Sequence, residues 1–269
     1  MIDFTEDQLE RYSRHILLKD VGLKGQSKML ESKVLVVGTG GLGSPVAFYL
    51  AAAGIGTIGL IDNDVVDLSN LQRQIIHFTA DVDTPKVDSA AAKIKALNPD
   101  VKVRTYKEFV NASNVVDIIK EYDFVIDGTD NFATKFLIND ACVMNKIPFS
   151  HGGILRFHGQ TMTIRPWETA CYRCVFSEPP PPESVPSCSE AGVLGAIAGM
   201  LGTIQAAEAL KFVTNTGQLL TDSLLTFDAK NMDFRKIKLK RQKSCPICGE
   251  NPTITELVDG EAAVCEVPT

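Results

Sequence analysis

Four glycines within six residues, Gly38-Thr39-Gly40-Gly41-Leu42-Gly43, constrain this chain more than any other segment. The run matches G-x-G-x-x-G. Before it, Lys33-Val34-Leu35-Val36-Val37 reads as a short, fully buried parallel strand. After it, the Ala-rich stretch from Ser44 to Ala53 reads as a helix stopped by Gly54. Between a strand and a helix, such glycines permit a tight turn, backbone approach to a phosphate and close helix–strand packing, and the helix N-terminus supplies oriented N–H groups. A second strand, Thr57 to Ile61, ends at Asp62, 19 residues beyond Gly43, where a carboxylate can accept ribose hydroxyls. The motif by itself does not separate a dinucleotide from ATP.

The strand–helix alternation continues. Helices are expected at Pro85 to Leu97, Ala112 to Glu121 and Phe132 to Asn145, and strands at Lys102 to Tyr106, from Phe124 and from Pro148. Repeated units of this kind predict an open, mostly parallel, Rossmann-like α/β sheet covered on both faces. The first 31 residues read as amphipathic helices with a turn at Gly22 to Gly25. The pattern breaks near Thr161. Pro179 to Pro182 exclude helix and central strand, so 177–190 is expected to be a long loop. A helix with a small-residue face is expected from Gly195 to Val213, and two strands over 219–240. The whole is expected to be one domain: N-terminal helices (1–31), a nucleotide-binding core (32–165), and a zinc-bearing antiparallel extension carrying the loop and long helix (166–269).

Charge and hydropathy exclude several classes. A net charge of −6 argues against a nucleic-acid binder, which carries a basic surface. No uninterrupted apolar run approaches the ~18 residues that span a bilayer, and the acidic start does not resemble a signal peptide, so no membrane role and a cytoplasmic location are expected.

Charged residues near strand ends bear on the ligand. Asp67-Leu68-Ser69-Asn70-Leu71-Gln72-Arg73-Gln74 follows the second strand, Lys86 opens a helix, and Asp127-Gly128-Thr129-Asp130-Asn131 follows a buried strand. In a parallel sheet these segments can face the glycine turn. Arg73 and Lys86 suit a polyphosphate, and Asp130 suits Mg²⁺. A hydride-transfer enzyme using NAD needs instead a proton donor beside a small-substrate pocket, and none is assignable.

Cys171-x-x-Cys174 and Cys245-x-x-Cys248 form two matched pairs. Four thiolates close a tetrahedral Zn²⁺ site and leave no open position, which predicts a structural metal. Cys142 has apolar neighbours on an expected helix and reads as core.

Tyr12-Ser13-Arg14, the glycine turn, Asp62 with Asp64, Ser69 to Gln74, Lys86 and Asp127 to Asn131 together resemble the ThiF/MoeB/HesA family, bacterial relatives of ubiquitin-activating enzymes, over nearly the whole chain. The resemblance implies a MgATP site built from Gly38, Gly40, Gly41, Leu42, Gly43, Asp62, Asp64, Ser69, Asn70, Arg73, Gln74, Lys86, Asp130 and Asn131. Gly41 would lie against phosphate, Asp62 on the ribose, Asn70, Arg73 and Lys86 on the phosphates, and Asp130 on Mg²⁺. Arg14 would reach the γ-phosphate in a neighbouring subunit, which implies a homodimer. Cys188 resembles in position a cysteine that in some members bonds to the carrier or its sulfur. The activity implied is adenylylation of the C-terminal glycine of a ubiquitin-like sulfur-carrier protein ending in Gly-Gly, preparatory to thiocarboxylate formation for thiamine or molybdenum-cofactor biosynthesis. The chain ends soon after Cys248, so a separate sulfur donor is expected. Two other readings stay open: an NAD-dependent oxidoreductase on the same fold, and a non-catalytic ATP-binding zinc protein.

Overall fold

The computed structural model describes residues 3–181 and 192–260. Eight strands form one sheet in the order β3-β2-β1-β4-β5-β6-β7-β8. They are β1 (Lys33–Val37), β2 (Thr57–Ile61), β3 (Lys102–Tyr106), β4 (Phe124–Asp127), β5 (Phe149–Leu155), β6 (His158–Ile164), β7 (Ser223–Asp228) and β8 (Asp233–Lys238). Pairings from β3 to β5 are parallel and those from β5 to β8 antiparallel. The chain moves outward from β1 to β2 and β3, then returns to place β4 on the other side of β1. Ligands of open α/β sheets bind at such a reversal, beyond the carboxyl ends of the strands.

The helices are α1 (Glu6–Arg11), α2 (Ser13–Ile16), α3 (Gly22–Glu31), α4 (Gly43–Ala53), α5 (Lys86–Leu97), α6 (Val115–Ile119), α7 (Phe132–Asn145) and α8 (Gly195–Thr214). Their ends follow local chemistry. Thr5 and Gln8 form a capping box at α1. Asn131 caps α7 by accepting the Thr134 N–H. Gly54, at φ +83°, ends α4 in the left-handed conformation that glycine adopts without penalty.

Two expectations are corrected. Gly22 to Gly25 is not a turn between helices but the first turn of α3; the chain reverses earlier, over Leu17 to Val21. The helix expected over Ala112 to Glu121 shrinks to Val115–Ile119, because the side chains of Asn111 and Asn114 bond nearby backbone and hold its start in a turn.

Two apolar layers sandwich the parallel strands. Val34, Val36, Ile58, Leu60 and Phe124 face α4 and α5, while Leu35, Val37, Ile61 and Val125 face α6 and α7. Helix α8 has the length and mean composition of a membrane span. It instead packs across α4 and the middle of the sheet, with Glu208 buried against Thr163 and the Leu220 N–H. Its small-residue face is used as expected: a Cβ on Gly202 would lie 2.4 Å from Leu42 O.

Candidate functional site

Val37 pairs with Ile61 on one side and Asp127 on the other. Gly38, Asp62 and Gly128 therefore leave the sheet side by side. Gly38 has φ +85°, and a Cβ there would lie 3.0 Å from Gly128 O. A Cβ on Gly43 would lie 1.9 Å from Gly38 O, so this glycine lets α4 begin directly above the strand end. Gly41 differs: a Cβ there meets only Ala198 at 3.4 Å and the Arg73 stem at 3.5 Å. Packing does not demand a glycine at that position. Leu42 turns its side chain into a small core with Ala198, Leu201 and Phe227, leaving only its backbone on the turn.

The turn is held from two sides. Asp62 Oδ2 accepts the Thr39 N–H at 2.8 Å and its hydroxyl at 3.0 Å, while Oδ1 accepts the Asp64 N–H. Buried His77 contacts Thr39 O through Nε2 at 3.1 Å and Ser89 Oγ through Nδ1 at 2.9 Å. A carbonyl only accepts, so Nε2 carries the proton. Burial lowers the His77 pKa below its usual value.

A short 3-10 turn, Leu68–Asn70, presents the next group. Asp67 caps it by accepting the N–H and hydroxyl of Ser69. Arg73 lays its stem over Gly41 and donates to Ser69 O at 3.1 Å; among the described residues it has no ion-pair partner. Asn70 accepts the backbone N–H groups of Arg73 and Gln74 on its own carbonyl. Gln74 is buried beside Gly40, with Nε2 3.6 Å from where a Cβ would sit and Oε1 unpartnered. Lys86 opens α5, its side chain 7% exposed, and its Nζ lies 2.7 Å from Oδ2 of the exposed Asp64. Asp130 is exposed, with no hydrogen bond or ion pair among the described residues; Asn131 spends its carbonyl on the α7 cap.

Arg14 lies elsewhere. Its neighbour Tyr12 packs against Gly54, at the far end of α4 from the glycine turn, and His15 bonds Gln26, which bonds Ala53 O. The 11 residues of α4 span ~16 Å, so Arg14 and the turn occupy opposite ends of the sheet in one chain. Cys188 lies outside the described residues.

Under the loop after β4 is a charged cluster that the sequence reading missed. Asp127 and His151 are cross-strand neighbours, with Oδ2 and Nδ1 2.9 Å apart. Lys135, one turn into α7, reaches the same carboxylate at 3.1 Å. All three are buried. Despite the desolvation that opposes it, the cationic Lys135 and the His151 bond hold the Asp127 carboxyl well below the usual range. Burial lowers the His151 pKa below its usual value, and its Nε2 is buried with no partner among the described residues. A lysine flanked by Phe136, Leu137 and Ile138 on an expected helix was the available signal.

At the other end of the chain, the sulfurs of Cys171, Cys174, Cys245 and Cys248 lie within 4.8 Å of one another, with contacts of 3.4–3.8 Å. This set could hold a metal ion. Cys142 is core, as expected, and burial pushes its thiol up.

The ThiF family model matches residues 12–247. The chain is 48% identical to the SAMP-activating enzyme E1 of Haloferax volcanii, over 90% of each chain. It is 44% identical to the sulfur carrier protein adenylyltransferase of Thermus thermophilus, over 96% of this chain and 97% of that one. It is also 46% identical to a probable adenylyltransferase/sulfurtransferase MoeZ of Mycobacterium tuberculosis, but spans only 65% of that protein's length. Among solved structures, Escherichia coli MccB shares the fold at TM-score 0.81 and 22% identity, over 93% of this chain and 75% of that chain. With the glycine turn at the strand reversal and a family match over most of its length, the chain belongs to the ThiF family.

Proposed function

We propose that this enzyme adenylylates the C-terminal glycine carboxylate of a ubiquitin-like sulfur-carrier protein. The observation that carries the reading is Arg73 lying across Gly41, a cation with no carboxylate partner among the described residues, over a glycine that packing does not require. The near full-length likeness to a sulfur carrier protein adenylyltransferase supports it. An oxidoreductase reading gains nothing from the described residues of the site, where Arg73 and Lys86 suit a polyphosphate and no proton donor is assigned for hydride chemistry.

The carrier's carboxylate is ionised at neutral pH and needs no base. Its oxygen attacks the α-phosphorus of ATP, the bond to the bridging oxygen breaks, and pyrophosphate leaves with the electron pair. The product is an acyl-adenylate. Gly40 and Gly41 N–H groups and the α4 N-terminus receive phosphate, Arg73 and Lys86 neutralise developing charge, and Asp62 receives the ribose while pinning the turn. Asp130, an exposed carboxylate with no partner among the described residues, fits a site that takes Mg²⁺ through one carboxylate and phosphate oxygens. Such an ion would supply further charge neutralisation. Arg14 would come from a second copy, since it cannot reach the turn of its own chain. The four cysteines suit Zn²⁺: a tetrahedral ion at ~2.3 Å from each sulfur requires sulfurs about 3.8 Å apart. Sulfur would reach the activated carboxyl from a separate donor, and Cys188 is proposed as the thiol that handles it.

The test is carrier-dependent ATP–pyrophosphate exchange against a panel of thiamine-type and molybdenum-cofactor-type carriers ending in Gly-Gly. Wild-type protein should exchange with at least one, and Lys86→Ala and Asp130→Ala should not. Exchange at wild-type rates in both variants would overturn the site.

A further inference from the structure

The loop after β4 meets the glycine turn at Gly128 and then carries Asp130, and its geometry is not set by the loop itself. The Thr129 N–H and hydroxyl donate to Asp127 Oδ1 at 3.1 and 2.6 Å. From the other side, Lys135 Nζ donates to Thr129 O at 2.7 Å, and also to Gly152 O at 2.5 Å and to Asp127. Those three acceptors use all three donors of the ammonium. His151 takes the remaining side of Asp127 Oδ2 at 2.9 Å. Every polar atom of Thr129 is thus tied to one of two buried, oppositely charged side chains. The peptide immediately before Asp130 is anchored to β4, β5 and α7 at once, while Asp130 itself stands exposed, with no bond among the described residues. A buried pair of this kind costs desolvation, and fixing one conformation is the best-attested return for that cost.

We infer that Asp127 and Lys135, acting through Thr129, are positioning residues for the Asp130 carboxylate and set how well it receives the cation that accompanies the nucleotide. This rests on the assignment of Asp130 to magnesium made above. Groups that orient a metal-binding carboxylate typically change cation affinity by 10- to 100-fold when removed.

The experiment measures ATP binding to the full chain by isothermal titration calorimetry, once in EDTA and once in saturating Mg²⁺. The ratio of the two dissociation constants is the magnesium enhancement. Thr129→Val and Lys135→Met should keep metal-free ATP binding and lose about tenfold of the enhancement. Thr129→Ser, which retains the hydroxyl, should restore it. A merely structural role would weaken both conditions alike, and that result, or an unchanged ratio in Thr129→Val, overturns the inference. Should Lys135→Met fail to fold, Thr129→Val and Thr129→Ser decide alone. Asp130→Ala separates the two levels. If it keeps the full enhancement, the magnesium assignment falls and the inference with it; if it loses the enhancement while Thr129→Val does not, only the inference falls.

Discussion

The Thr39 N–H donates to Asp62 Oδ2 at 2.8 Å, so the carboxylate expected to meet a ribose also ties the glycine turn to the end of β2. The Thr39 hydroxyl binds the same oxygen. Asp62 therefore both shapes the glycine turn and borders it. Asp62→Ala should weaken ATP binding, read by calorimetry, and lower unfolding stability by about 1.5–3 kcal/mol, the range for hydrogen bonds to a charged group. A change in affinity with no change in stability would show that the tie to Thr39 contributes nothing to the fold.

The glycines of the turn divide into two kinds. Gly41→Ala places a methyl in ordinary contact with Ala198 and Arg73, so the variant should fold with a Tm close to wild type yet lose ATP binding, because the methyl occupies the phosphate approach. Gly43→Ala drives a methyl into Gly38 O and should cost several °C or prevent folding. Thermal melts with and without MgATP read both. Tight ATP binding by Gly41→Ala would remove Gly41 from the phosphate seat.

Much of this was legible in the sequence because the signals are local. The β-branched run into Gly38, the α7 limits from Phe132 to Asn145 and the matched cysteine pairs each depend on residues close in the chain or on ligand chemistry that overrides distance. The charged cluster under Asp130 was not legible, since Asp127 and His151 become neighbours only through the β4–β5 register. Nor was the place of His77, which meets Thr39 across 38 positions. The early start of α3 hid behind Gly22, whose φ of +57° suits a turn but which here lies at the helix's first position. Propensity read the glycine correctly and the boundary wrongly.

Two buried histidines set a pH dependence. Burial lowers the pKa of both His77 and His151 below the ordinary 6.5. Below that pH the unfolded chain binds protons that the folded chain excludes, so stability falls as pH drops through and beneath 6.5. A Tm series from pH 7.5 to 5.5 should slope downward, and His77→Gln should flatten part of the slope. A slope unchanged by that substitution would remove His77 as a contributor.

The cysteine cluster predicts a stoichiometric metal. Purified protein should carry about one zinc per chain by elemental analysis. Cys245→Ser should lose it and melt earlier, since Cys171 and Cys174 lie far along the chain from Cys245 and Cys248, and an ion joining them closes that loop. The glycine turn is remote in sequence and draws no ligand from these cysteines, so ATP binding at low temperature should survive in the folded fraction. Metal-free protein with an unaltered Tm would leave the four thiols without a structural ion.

The separation of Arg14 from the glycine turn makes the proposed dimer testable by mixing. Arg14→Ala and Lys86→Ala homodimers should each be inactive in exchange. In a mixed dimer of the two variants, one site receives both substitutions and the other receives neither, because an isologous interface exchanges the same residues in both directions. Unfolding and refolding an equal mixture should therefore restore about a quarter of wild-type exchange, half the dimers being mixed and each having one intact site. Restoration requires that Arg14 and Lys86 of different chains complete one site. An inactive mixture, with mixed dimers demonstrated by differential tagging, would place Arg14 in the site of its own chain, which the position of Tyr12 against Gly54 argues against, whereas an active Arg14→Ala homodimer would place Arg14 outside the reaction.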